Sequence, residues 1–186
     1  MEFWENWQKP YQFGTIVIWP PVDIRELVNN QRQEYDPVSL SYCESHITVT
    51  QPLKRFLLDG EWDQILDLVK QFNSFDIVYG PLNSFLPYPC IWYEIEPTNK
   101  ILQIRNVLHE TGLFNTSLKY TDDFIPHMTI TEGISGPTVN EKLLEQLTGE
   151  SKTGSFYCDE LAYIVPNKHF LFQVTKTLPF ASMQKY

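Results

Sequence analysis

Two segments of the chain follow the same order of elements, and that repetition limits the folds open to it. In the first, FGTIVIW at 13–19 has the β-branched density of a strand, and Pro20-Pro21 end it. A helix is predicted from Asp23, as its cap, through Tyr35, with Ile24, Leu27 and Val28 as its apolar stripe. A loop around Asp36-Pro37 then leads to a strand, SHITVT. In the second, IWYEIEP is a strand closed by Pro97, TNKILQIRNVLHETG is a helix stopped by Gly112, and a loop leads to PHMTIT. From the start of the first strand to the histidine that opens the second is 33 residues in one copy and 36 in the other, and the histidines stand 81 apart. An internal duplication accounts for this match, with a period far too long for a solenoid. The remaining pattern adds a helix at 62–72 and a strand at 75–79, then a helix at 137–147 and β structure through SFYCDELAYIVP. The expected fold is α+β, a single domain over 1–186 made of two similar lobes.

The matched strands read His46-Ile47-Thr48-Val49-Thr50 and His127-Met128-Thr129-Ile130-Thr131. Strand side chains alternate faces, so each histidine shares a face with its two threonines while the apolar residues between them turn to the core. Imidazole works as acid or base near neutrality, and a threonine hydroxyl can donate to an anionic oxygen. In-line displacement at phosphorus asks for that set: one group to take a proton from the attacking oxygen, one to protonate the leaving oxygen, and donors for the equatorial oxygens. A histidine satisfied structurally by its threonine neighbours is the alternative, and the matched pair argues against it. Two histidines with no carboxylate or thiolate at ligand spacing are a poor zinc set, so neither a metal nor another cofactor is expected.

Charge then limits the substrate. Fourteen Lys and Arg against 23 Asp and Glu leave a net charge of −9, which works against the multiple phosphate contacts of a long nucleic acid. Cys43, Cys90 and Cys158 are widely spaced and odd in number, as in reduced thiols. No apolar run reaches membrane-spanning length, and the N-terminal residues lack a signal-peptide pattern, so a soluble, cytoplasmic chain without a membrane partner is expected.

At the two H-φ-T-φ motifs, HITV at 46–49 and HMTI at 127–130, with Pro126 before the second and GTIVIWPPVDIREL near the start, the sequence resembles the two-histidine (2H) phosphoesterase superfamily, including its LigT-like 2′,5′-RNA ligases and cyclic phosphodiesterases. The resemblance covers most of the chain. It implies a bilobal fold of two pseudo-symmetric antiparallel-sheet lobes with flanking helices and a central cleft. It also implies His46 and His127 as acid and base and Thr48 and Thr129 as phosphate-orienting hydroxyls. The activity it implies is metal-independent hydrolysis of a small phosphodiester, a 2′,3′-cyclic phosphate or a short oligonucleotide end. RNA 2′,5′-ligation and a catalytically weak nucleotide-binding module are the alternatives. Some LigT-like members carry an arginine after the second motif, but here the chain reads Thr131-Glu132-Gly133. Arg105, Lys119 or Lys168 would have to replace it, or stand as solvated surface cations.

Aromatic residues beside the motifs are candidates for stacking on a base. Tyr42 and Phe85 are favoured as substrate-binding, Tyr120 and Phe124 are further candidates, and Trp19 reads as a packing residue. His109 reads as structural, at a helix end where positive charge suits the dipole. His169, in a predicted hairpin, lacks a threonine two residues on and is set aside as a third catalytic histidine. Asp122-Asp123 either orient the second imidazole or form a solvated loop pair.

Overall fold

The computed structural model describes residues 4–119 and 121–181, and Tyr120 lies outside them. A short 3₁₀ turn, Lys9–Phe13, precedes β1 (Thr15–Ile18), α1 (Val22–Tyr35), α2 (Pro37–Tyr42), β2 (Ile47–Thr48), α3 (Asp59–Val69) and β3 (Phe75–Ser84). The second half supplies β4 (Ile91–Glu96), α4 (Thr98–His109), β5 (His127–Thr131), α5 (Glu141–Glu150), β6 (Gly154–Cys158), β7 (Glu160–Pro166) and β8 (Phe172–Pro179). All eight strands join one antiparallel sheet in the order β6-β3-β4-β5-β2-β1-β7-β8. The fold is α+β, and its two lobes are the halves of this continuous sheet.

The motif strands β2 and β5 are neighbours at its centre, joined through the pair Ile47↔Met128. The outer strands cross between halves. β3, made by the first half of the chain, pairs with β4, and β7 from the second half pairs with β1. Likewise α1 packs on β5 of the other half. Gly14 permits the close start of β1: its φ is 77°, and a Cβ there would meet the Ile164 carbonyl oxygen at 2.3 Å.

One face of the sheet carries the main core, with Ile16, Ile18, Ile47, Leu161 and Leu178 buried together with helix residues such as Val28 and Ile104. On the opposite face a smaller cluster of Val17, Cys43, Ala162 and Ile164 is joined by the partly buried Trp19 and Phe172. Paired residues share a face, so the registers Val17↔Thr48, Val17↔Ala162 and Ala162↔Thr177 place one continuous row on that second side.

Sequence and structure differ in instructive places. The segment read as a loop after Asp36 is helix α2, because Asp36 caps it by accepting from the Ser39 backbone N–H at 3.4 Å. The single β run expected near the C-terminus is interrupted at Asp159, and its two parts join opposite ends of the sheet order. α5 begins at Glu141, since Asn140 caps it through Leu143 N–H at 3.0 Å.

Candidate active site

The central pairing of β2 with β5 brings His46, Thr48, His127 and Thr129 to the wall of one cleft of about 160 Å³. Thr50 and Thr131, expected on the same face, are buried and engaged elsewhere. Thr50 Oγ1 accepts from Ile16 N–H at 3.1 Å, and Thr131 Oγ1 accepts from Gly133 N–H at 3.0 Å. Local irregularity explains this: Val49 and Thr50 both donate to the Ile16 carbonyl, and the β4–β5 register slips between Ile91 and Trp92. Strict alternation therefore ends after the first threonine of each motif.

Both imidazoles are oriented in the same way. His46 Nδ1 lies 2.8 Å from the Glu44 carbonyl oxygen, and His127 Nδ1 lies 2.7 Å from that of Ile125. A carbonyl only accepts, so each Nδ1 carries the hydrogen, and Nε2 is the nitrogen left available for proton exchange. The backbone does the orienting that Asp122-Asp123 could have done; both of those residues are exposed. Burial lowers the His127 pKa. His46 falls to about 4, chiefly by burial, with the positive charge of Arg32 and coupling to His127 adding to the effect.

The cation of the cleft is Arg32, which the sequence reading did not single out. It lies on the α1 face that buries Val28 and Tyr35, and it is 4% exposed. Its guanidinium donates to the Thr129 carbonyl at 3.0 Å, Ser39 Oγ at 3.0 Å and the Cys43 carbonyl at 3.2 Å. It thus ties the second motif to the segment leading into the first. Its Nε is buried without a partner among the described residues. Glu132 also lines this cleft; desolvation raises its pKa, against the pull of Arg32.

The three cations considered from sequence lie elsewhere. Arg105 is buried, donating to the Val49 carbonyl at 2.8 Å and the Thr121 carbonyl at 3.2 Å, with its guanidinium 4.0 Å from the Phe124 ring centre. Lys168 is exposed on the hairpin between β7 and β8, and Lys119 does not line the cleft.

A family model described as the 2′-5′ RNA ligase superfamily matches residues 19–169. The chain belongs to that superfamily. A search of curated proteins finds no match. Among solved structures of this fold, Escherichia coli LigT complexed with 3′-AMP is 16% identical, with a TM-score of 0.57 over 91% of this chain and 98% of its own. The Thermus thermophilus protein TT0787 is 12% identical, with a TM-score of 0.59 over the same shares. The sheet is antiparallel and, among the described residues, is accompanied by five α-helices, in a fold shared with these solved structures.

Aromatic rings form one wall of this superfamily member's cleft. Tyr42 lines it, together with Trp7, Tyr11, Phe170 and Phe172, which the sequence reading missed. Phe170 is the hub, 5.1 Å from Trp4, 5.2 Å from Trp7, 5.6 Å from Tyr42 and 5.2 Å from Phe172 between ring centres. It holds a left-handed backbone (φ 62°) in a turn where Asn167 Oδ1 accepts from His169 and Leu171 N–H. Phe85 does not line this cleft. It packs edge-on to His127 at 5.4 Å and stacks on Trp92 at 4.9 Å, so it braces the imidazole. His169 is exposed and outside the cleft.

His109 differs from expectation in its charge. Its Nε2 accepts from Gln51 N–H at 3.0 Å, which requires the neutral ring, and burial with nearby Arg105 lowers its pKa to about 4. The unfolded imidazole takes up a proton below about 6.5 while the folded one does not, so this contribution to stability is complete above 6.5 and is lost as pH falls towards 4. Denaturant unfolding at pH 7.5 and 5 checks it. Substituting His109→Gln removes about 1–2 kcal/mol of the acid-induced loss.

Proposed function

We propose that the protein is a phosphodiesterase that hydrolyses a small nucleotide-like phosphodiester, a 2′,3′-cyclic phosphate or a short oligonucleotide end, with His46 and His127 as acid and base. The observation that carries this reading is the matched bonding of both Nδ1 atoms, which leaves two Nε2 atoms for one cleft. One Nε2 takes a proton from water as its oxygen forms a bond to phosphorus. The P–O bond to the ribose oxygen breaks, and the other Nε2–H supplies that oxygen's proton. The two rings end with exchanged protonation states and reset through solvent. Thr48 and Thr129 donate to the equatorial oxygens, and Arg32 offsets their charge.

Family membership keeps 2′,5′-ligation of RNA ends as the second reading: a 5′-hydroxyl takes the place of water as the nucleophile on a 2′,3′-cyclic phosphate, and the same acid and base serve. LigT has been crystallised with 3′-AMP, ATP and NADP+, and these small nucleotides match the ligand size proposed for this cleft. The three free, buried cysteines suit the cytoplasm, where we place the protein.

A panel of nucleoside 2′,3′-cyclic phosphates, 2′,5′-linked dinucleotides and longer RNA, assayed in chelator with product regiochemistry read out, tests the proposal. Turnover of the small diesters is expected; joining of RNA ends in place of hydrolysis would favour the second reading. The pH dependence is a second check. Both histidine pKa values lie below 6.5, so the singly protonated pair is most populated on the acid side and the kcat/KM bell has its maximum below pH 6.5. Saturation with an anionic diester moves the kcat profile to higher pH. A kcat/KM that climbs steadily to pH 9 would exclude this acid–base pair.

A further inference from the structure

The histidine cleft holds a carboxylate that the acid–base pair does not use. Glu132 is open to the cleft and lines it together with Thr129 and Arg32. Its backbone fixes its place. The Glu132 N–H donates to the buried Asp36 carboxylate at 2.8 Å, which also accepts from the Ser135 N–H at 3.1 Å and the Ser135 hydroxyl at 2.8 Å. Gly133 follows with a φ of 67°, and a Cβ there would meet Pro89 at 2.9 Å. The Glu132 carboxylate has no hydrogen bond or ion pair among the described residues. Arg32, the nearby cation, directs its donors to Thr129, Ser39 and Cys43. An open anion beside a phosphate site weakens binding of a plain phosphate and favours a ligand that also carries positive charge.

The field of Glu132 reaches the aromatic wall of the same cavity: after burial, it is the next cause of the raised Tyr11 pKa. Neighbouring rings of that wall meet at steep angles, 85° for Trp7 with Phe170, 72° for Tyr42 with Phe170, 74° for Phe170 with Phe172 and 83° for Tyr11 with Phe172. Rings set this way form a cup and not a flat shelf. A planar base covers one of them, whereas a near-spherical ammonium meets several at once.

We propose that Glu132 and the aromatic wall form a site for a quaternary ammonium, so that the cleft also takes phosphodiesters in which one ester arm ends in a trimethylammonium group, as in choline esters. This rests on the phosphodiesterase reading and extends its substrate class beyond nucleotides. The cleft then matches a zwitterion. The histidine pair, the two threonines and Arg32 hold the phosphate, while Glu132 and the rings hold the cation at the end of a short arm. Desolvation raises the Glu132 pKa against the pull of Arg32, Asp36 adds to the rise, and a bound cation favours the ionised form. In hydrolysis one Nε2 takes a proton from water as its oxygen bonds to phosphorus. The P–O bond to the arm without the ammonium breaks, its oxygen takes the proton of the other Nε2–H, and the ammonium arm leaves as a phosphomonoester.

The probes are glycerophosphocholine and the matching diester of glycerol and 3,3-dimethylbutanol, in which carbon replaces the nitrogen and the positive charge is lost. Cation–π contacts and the carboxylate together are expected to favour the choline diester in kcat/KM by about tenfold. Glu132→Gln, which keeps the backbone bond to Asp36, and Tyr42→Leu should each lower that ratio by about threefold or more. A ratio near one in the parent, or one unchanged by Glu132→Gln, would overturn the ammonium site. If adenosine 2′,3′-cyclic phosphate is hydrolysed and neither glycerol diester is, the phosphodiesterase reading stands and the extension to choline esters falls. If no diester is hydrolysed, that reading falls, and calorimetry with phosphocholine and 3,3-dimethylbutyl phosphate still decides the site. Tighter binding of phosphocholine, weakened in Glu132→Gln, supports it; equal Kd values for the two ligands exclude it.

Discussion

Replacing either His46 or His127 with alanine is expected to lower turnover of a nucleoside 2′,3′-cyclic phosphate by about 10²–10⁴-fold, the range for removal of a positioned acid or base. The fold should survive. Each ring makes one backbone hydrogen bond, at 2.8 and 2.7 Å, of a kind that contributes about 1 kcal/mol net. In the proposed mechanism the two rings serve one displacement, so their losses do not add, and the double variant should be scarcely slower than either single one. Single-turnover rates, with circular dichroism to verify folding, check this. Two single variants that kept rates within about threefold of the parent would remove the histidines from the mechanism.

Arg32 carries the second large effect, and it reaches stability and activity together. Arg32→Met strands the Thr129 and Cys43 carbonyls and the Ser39 hydroxyl, all of which now accept from the guanidinium. Leaving buried acceptors unpaired costs about 1–3 kcal/mol each before relaxation, so a net loss of about 2–4 kcal/mol is expected, or a Tm lower by about 6–12 °C. Activity should fall by about 10–100-fold as the cleft loses its cation. One readout separates charge from scaffolding. Arg32 helps to depress the His46 pKa, so its removal raises that pKa and moves the kcat/KM optimum to higher pH. Arg32→Lys keeps the charge but not the planar fork; it should hold the optimum in place while recovering only part of the lost Tm. An unshifted optimum in Arg32→Met would show that its charge does not reach the histidine pair.

The parts of the site legible in the sequence were those written locally. Proline punctuation, period-two alternation and the repeated histidine marked β2 and β5 without any tertiary information. The cation was not legible in the same way. Arg32 stands four residues beyond Val28, on the stripe that α1 buries, and an arginine at a core position is a usable signal. Its target, the Thr129 carbonyl, lies 97 residues away and is reached only because α1 crosses onto β5. The aromatic wall was hidden for a related reason: Phe170 depends on a left-handed turn, and Trp7 meets it across most of the chain length. Phe85 was found, but as a brace for His127, since only its packing on Trp92 shows which way it faces.

The exchange of outer strands also governs when the cleft can exist during synthesis. β1, the immediate neighbour of the first motif strand, is held on its other side by β7, with Thr15 paired to Ile164. Early and late segments must meet before His46 has a finished surrounding, and closure of so long a loop comes late in folding. A growing chain that has already made both histidine strands therefore has no working site. Late residues such as Ile164, Phe170 and Phe172 line the cleft, so a half-made polypeptide is expected to be inactive in the function proposed here.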